Sequence, residues 1–119
     1  MIIRKYRQKD LERLKQITIE AFNGIAIDQM IENLYGFING SDWRSRKANH
    51  VSIDATRDPD GIFVAEISNL VVGYISSYID SEVGIGYIPN IAVANDHRGK
   101  GIGRKLLEHV MASLRREGV

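Results

Sequence analysis

The stretch Ile91-Ala92-Val93-Ala94-Asn95-Asp96-His97-Arg98-Gly99-Lys100-Gly101-Ile102-Gly103-Arg104-Lys105-Leu106-Leu107 governs how the rest of the chain is read. An apolar strand ends on its left and a long amphipathic helix begins on its right, with glycines at positions 99, 101 and 103 between them. Each glycine costs backbone entropy that alanine would not, and in return lets a ligand approach the main chain closely. The first amides of a helix have no internal partner and lie at the positive end of its dipole, so such a start is an anion site. A helix shaped for stability alone places acids in its first turn. Here Arg98, Lys100, Arg104 and Lys105 stand there, with no acid between His97 and Leu107. Each of those cations costs roughly a few tenths of a kcal/mol against the dipole, and a bound polyanion reverses the sign. The alternative is a glycine-rich connection with a solvated basic face, which a lone glycine pattern does not exclude.

Downstream of this stretch, Ile102, Leu106, Leu107, Val110, Met111 and Leu114 trace one helical face that fades at Gly118. Before it, residues 84–93 read as a strand containing Pro89, which cannot donate to a ladder and so marks an edge, a strand end or a bulge. Residues 62–67 and 71–79 read as two strands reversed at Ser68-Asn69, an antiparallel hairpin entered through the turn Asp58-Pro59-Asp60-Gly61. Near the N-terminus, residues 1–7 read as a strand and Asp10 as the N-cap of a helix through Leu11, Leu14, Ile17 and Phe22, stopped at Asn23-Gly24. Ile27, Met30, Ile31, Leu34 and Tyr35 form a second amphipathic stripe ending near Gly36. Residues 41–57, with Trp43 and the basic run Arg44, Arg46 and Lys47, read as a third helix or a loop of helical character. Trp43 is a packed anchor or lines a substrate entrance. This order predicts an α/β (α+β) fold, a mixed, mostly antiparallel sheet flanked by helices, in a single domain over 1–119.

Composition bounds the function. Hydrophobic residues make up 44% of the chain and charged residues 26%, enough for a globular core. The absence of cysteine removes disulfides, thiolate metal sites and a cysteine nucleophile, and fits a cytoplasmic location. A net charge of +1 provides no global field for nucleic acid or membranes, and no run approaches the roughly 20 apolar residues of a bilayer span. Neither partner is expected. His50, His97 and His109 are too scattered for metal-ligand spacing, so no metal is expected; His97 reads as a turn residue or a phosphate contact, and His109 as a helix-surface residue. A Walker A loop is absent, and the dinucleotide fingerprint fails at Arg104.

Residues 91–107 closely resemble the acetyl-CoA motif of the GNAT superfamily of N-acetyltransferases. The family's core pattern is Gln or Arg, two free positions, Gly, one free position, then Gly or Ala; Arg98, Gly101 and Gly103 match it. The resemblance implies a GNAT-like acyl-CoA N-acyltransferase fold, acetyl-CoA as cosubstrate, and transfer of the acetyl group to a primary amine by direct attack. It implies that the backbone of Ile91, Ala92 and Val93 bonds the pantetheine arm and the acetyl carbonyl. The main chain of Gly99, Lys100, Gly101, Ile102, Gly103 and Arg104 would wrap the pyrophosphate. Pro89 then marks a family bulge where the strand splays to admit the cofactor.

The pattern departs from the family in two places. The family's sheet continues past this helix with a further strand, a helix and usually a hairpin, whereas the chain ends at Val119, so the fold is expected to be C-terminally incomplete. Many members carry a glutamate about six residues before the position of Val93; Tyr87 stands there, and Glu82 lies further back. Tyr87 and Glu82 are the candidate catalytic groups, each with an ordinary reading beside it as a strand aromatic and a solvated turn residue. Acetyl transfer also proceeds by positioning and amide stabilisation without a dedicated base. Two other functions stay open: a non-catalytic acyl-CoA-binding or sensing module, and a fragment completed by a partner or by swapping into a homodimer. The acceptor is a small-molecule or peptide amine of unassigned class.

Overall fold

β-branched Ile2 and Ile3 start the first strand of a four-stranded sheet, in a computed structural model that describes residues 1–24, 27–36 and 42–119. Strands β1 (Ile2–Lys5), β2 (Phe63–Ile67) and β3 (Leu70–Ile75) run antiparallel. β4 (Tyr78–Asp80) and β5 (Ile85–Tyr87) form a separate two-stranded hairpin, and β6 (Ile91–Val93) returns to the main sheet in the order β1-β2-β3-β6. The reversal at Ser68-Asn69 is as the sequence requires, with both residues at positive φ (51° and 67°).

Helices cover both faces. α1 (Leu11–Phe22) and α3 (Trp43–Arg57) bury Leu14, Ile17 and Val51 against Val64, Tyr74 and Ala92, while α2 (Ile27–Tyr35) packs beside α3. On the other face α4 (Ile102–Arg116) sets Ile102, Leu106, Val110 and Leu114 on Phe63, Ala65, Val72 and Ile75. Gly73 allows this close seat, because a Cβ there would lie 3.1 Å from the Ala92 carbonyl and 3.4 Å from Leu106.

The long strands expected at 71–79 and 84–93 are each broken. Between the pairs Ile75↔Ile91 and Tyr78↔Tyr87, Ser76 and Ser77 on one side face Ile88, Pro89 and Asn90 on the other. One extra residue on one strand is a bulge, and the proline sits in it. Asp54 of α3 clamps the break: it accepts from Ser76 Oγ at 2.9 Å and from Asn90 Nδ2 at 2.6 Å, and the Asn90 amide donates to Ser76 Oγ at 3.1 Å.

Two open readings are decided and other expectations are corrected. Residues 43–57 are helical, with the Asp42 carboxylate capping the Ser45 amide at 2.8 Å; Trp43 is buried at 2% exposure, an anchor and no substrate entrance. Ser41, in the same expectation, lies outside the described residues. Asp10 precedes α1 but makes no cap bond, because its carboxylate is taken by the fork of Arg4 at 2.8 and 3.0 Å and by the Arg7 amide at 2.9 Å. Burial pushes the Asp10 pKa up, and the bonds from Arg4 and Arg7 outweigh it and hold the carboxyl below its ordinary value. The α2 stripe is not core: Leu34 and Tyr35 are 75% and 82% exposed. Leu107 and Met111 of α4 are exposed as well, whereas His109 lies half-buried with its ring edge on Phe63.

Candidate functional site

The site begins where α4 does. Gly99 and Gly101 adopt φ of +77° and +78°, with open space where a side chain would stand, and Gly101 is the N-cap of α4. The first helical bond runs from the Lys105 amide to the Gly101 carbonyl at 3.1 Å. Among the described residues, none of the six consecutive N–H groups at 99–104 has a hydrogen-bond partner within the protein. A run of free amides at a helix start is a concave donor surface for an anion.

The side chains of this stretch take different routes. Arg98 turns away and donates to the Ala21 carbonyl at 2.8 Å, bridging to the last turn of α1. Arg104 pairs with Glu108 at 3.1 Å along the exposed helix surface. Lys100 and Lys105 are exposed and have no ion-pair partner among the described residues. Two of the four cations thus remain unpaired, where the sequence presented all four alike. His97 lies in a single 3-10 turn, its Nδ1 3.1 Å from Asp96 Oδ1. Ile102 buries its side chain and contributes only its amide.

Strand β6 runs beside this surface. A Cβ on Gly103 would lie 3.8 Å from both Ile91 Cδ1 and Val93 Cγ2, which fixes the start of α4 over the strand. The bonds Ser76 N to Asn90 O (2.9 Å) and Ala94 N to Val72 O (2.8 Å) set the phase of the antiparallel ladder. By its alternation Ala92 spends its main-chain groups on Tyr74, and those of Ile91 and Val93 point to the opposite edge. No described strand lies on that edge.

The two catalytic candidates lie away from the free amides. Tyr87 stacks on Tyr78 with centroids 4.9 Å apart, and Glu82 is exposed in the β4–β5 turn. The neighbouring Gly86 packs on Leu114 and Val119, at the far end of α4. Residues 102 and 114 are about 18 Å apart along a helix axis, so neither group is brought to the free amides. Tyr74 offers no base either: burial, partly offset by its hydrogen bond with Thr18, pushes its phenol up to about 12.

Sequence reasoning missed the cluster at the bulge. Lys47, His50, Asp54 and Arg57 of α3 face Pro89 and Asn90 across a cleft of about 380 Å³. Its only sequence signals are the polar pair Ser76-Ser77 inside an apolar strand and an Asn after the interrupting proline. Among the described residues no group of three His, Cys, Asp or Glu is placed to hold a metal ion, and no helix is long and apolar enough to cross a membrane.

Residues 27–119 match the Acetyltransferase (GNAT) family. An uncharacterised N-acetyltransferase of Methanocaldococcus jannaschii is 33% identical over 108 residues, which are 91% of this chain and 55% of that protein. Another, from Archaeoglobus fulgidus, is 28% identical over 116 residues, 93% of this chain and 71% of that one. The crystal structure of a GNAT family acetyltransferase from Brucella melitensis in complex with acetyl-CoA superposes with a TM-score of 0.74 at 23% identity, over 99% of this chain and 70% of that one. This chain therefore spans about half the length of the Methanocaldococcus relative.

Proposed function

The chain belongs to the GNAT family of acetyltransferases, and from that premise we propose that it binds acetyl-CoA at the start of α4 and transfers the acetyl group to a primary amine. The observation that carries this reading is the run of unpartnered amides at 99–104. They fit a diphosphate: donors on exposed backbone, two glycines with no side chain in the way, and the unpaired charges of Lys100 and Lys105 beside them. The main-chain groups of Ile91 and Val93 lie along the same edge and are assigned to the pantetheine arm; Arg98 holds the loop to α1 and thereby positions it. Acetyl-CoA supplies a thioester: the amine nitrogen bonds to the acyl carbon, the carbon–sulfur bond breaks, and sulfur leaves as the thiol with a proton given up by the amine. The protein's share is to align the amine and to offer an edge amide to the acyl oxygen as charge develops on it. No metal enters this scheme, and a cytoplasmic location is part of the proposal.

Calorimetry with acetyl-CoA and with inorganic phosphate tests the site, and thiol release with a panel of amines tests transfer. Acetyl-CoA binding no tighter than phosphate would overturn the reading. Binding without thiol release from any amine would leave an acyl-CoA sensor. The edge of β6, on which no described strand lies, favours one addition, a strand supplied by a second copy or a partner. A monomer at all concentrations in sedimentation would exclude the second copy.

A further inference from the structure

We infer that the cleft between α3 and the Pro89 bulge is the acceptor site, and that it selects amines carrying an anionic group, carboxylate or phosphate. This rests on the proposed function, and it adds a substrate class to it. The arm of acetyl-CoA would run from the amides at 99–104 past Val93 and then Ile91, along the open edge of β6. The next residues in that direction are Asn90 and Pro89, which form one wall of the cleft. From Val93 to Asn90 is about 10 Å of strand, so the acyl end arrives at the bulge.

The charge of the cleft is set by α3. Lys47, His50, Asp54 and Arg57 recur at helical spacing and face it together. The one carboxylate is already engaged: Asp54 accepts from Ser76 and Asn90 and lies 3.5 Å from Arg57. Its oxygens are occupied and its charge is offset by Arg57, which disfavours a cationic substrate there. Arg57 is braced on the Tyr78 ring at 4.3 Å, and Lys47 on the Phe22 ring at 4.6 Å. Lys47 has no ion-pair partner among the described residues. With Arg57 set against Asp54, Lys47 is the surplus charge and leaves the cleft net positive, which favours an anion beside the reacting amine.

The test uses three primary amines of similar length: 4-aminobutyrate, O-phosphoethanolamine and 1,4-diaminobutane. Each is titrated by NMR into CoA-loaded protein, which needs no turnover, and each is then assayed for thiol release from acetyl-CoA. At least one anionic amine is expected to bind tenfold or more tightly than the diamine, and which of the two does so separates carboxylate from phosphate. Lys47→Met should abolish the preference and Lys47→Arg should retain it, with acetyl-CoA affinity unchanged in both and Tm lowered by no more than about 4 °C in Lys47→Met, through loss of the Phe22 contact. A preference for the diamine, no preference, no saturable binding of either anionic amine, or a preference that survives Lys47→Met would overturn the inference. Acetyl-CoA binding, measured separately, reports on the cofactor site alone.

Discussion

Replacing Gly101 by aspartate separates the stability of this fold from its anion-binding capacity. Gly101 has φ +78°, and a Cβ added there would find no atom within 4 Å, so the new side chain meets strain and no clash. An L residue in the left-handed region costs about 1–2 kcal/mol, least for Asp and Asn. A carboxylate at the N-terminus of α4 returns about 0.3–1 kcal/mol through the helix dipole. The net loss is about 1 kcal/mol, a fall in Tm of about 4 °C for a domain of this size. Binding responds differently. A carboxylate about 4 Å from a phosphate is repelled by about 4 kcal/mol at an effective dielectric of 20, and screening at this exposed position reduces that to about 2–3 kcal/mol. Acetyl-CoA affinity should therefore fall roughly a hundredfold. Gly84→Asp is the control, since Gly84 has φ +70°, equally open space, and a place in the β4–β5 turn. Calorimetry and thermal melts on both variants decide the matter: comparable Tm losses with affinity lost only in Gly101→Asp are expected. Acetyl-CoA affinity unchanged in folded Gly101→Asp, or lost equally in Gly84→Asp, would contradict the placement.

Other substitutions probe the frame around the site. Gly61→Ala should unfold the protein or lower its stability by more than about 3 kcal/mol in urea, because the new Cβ would stand 2.0 Å from the Ser77 carbonyl oxygen, a backbone atom. Gly103→Ala should be neutral or stabilising by up to about 1 kcal/mol, since its Cβ meets Ile91 and Val93 at an ordinary 3.8 Å; a clear drop in Tm would show that α4 starts elsewhere. Asp54→Ala strips the carboxylate from Ser76 and Asn90 and should cost about 3 kcal/mol by chemical denaturation, with Asp54→Asn intermediate. Asp10 has a lowered pKa in the fold, so its contribution is present above its ordinary value of 3.8 and is lost as pH falls through that value and below. The stability difference between the protein and Asp10→Asn should shrink from pH 6 to pH 3; a constant difference would show that the Arg4 pairing contributes nothing.

Much of the architecture was legible because its causes are local. Ser68-Asn69 at positive φ, Gly24 and Gly36 closing α1 and α2, and the amphipathic run of α4 each follow from residues within a turn or two. The break at 84–93 was legible in Pro89, which cannot continue a ladder, whereas its counterpart at Ser76-Ser77 was not, since the β-rich run resumes at Tyr78-Ile79 and periodicity registers only which face a residue takes. That counterpart depends on Asp54, which reaches the strands from a helix whose existence the sequence left open. The α2 stripe shows the converse: its pattern is amphipathic, yet burial is a property of what packs against it, and Met30, Leu34 and Tyr35 are exposed.

At the candidate site the division is sharpest. Local sequence was enough for the free amides at 99–104, because helix-start amides lack partners wherever the helix lies, and glycine permits the backbone that presents them. Apart from the local pair of Arg104 with Glu108, where the charges went was settled by packing. Arg98 is spent on Ala21, 77 residues away in the chain, and Lys47, Asp54 and Arg57 meet Asn90 only because α3 packs over the bulge. Hydrogen bonds of short range are written in neighbouring residues; the destination of a long, flexible cation is set by whatever acceptor the fold brings within reach.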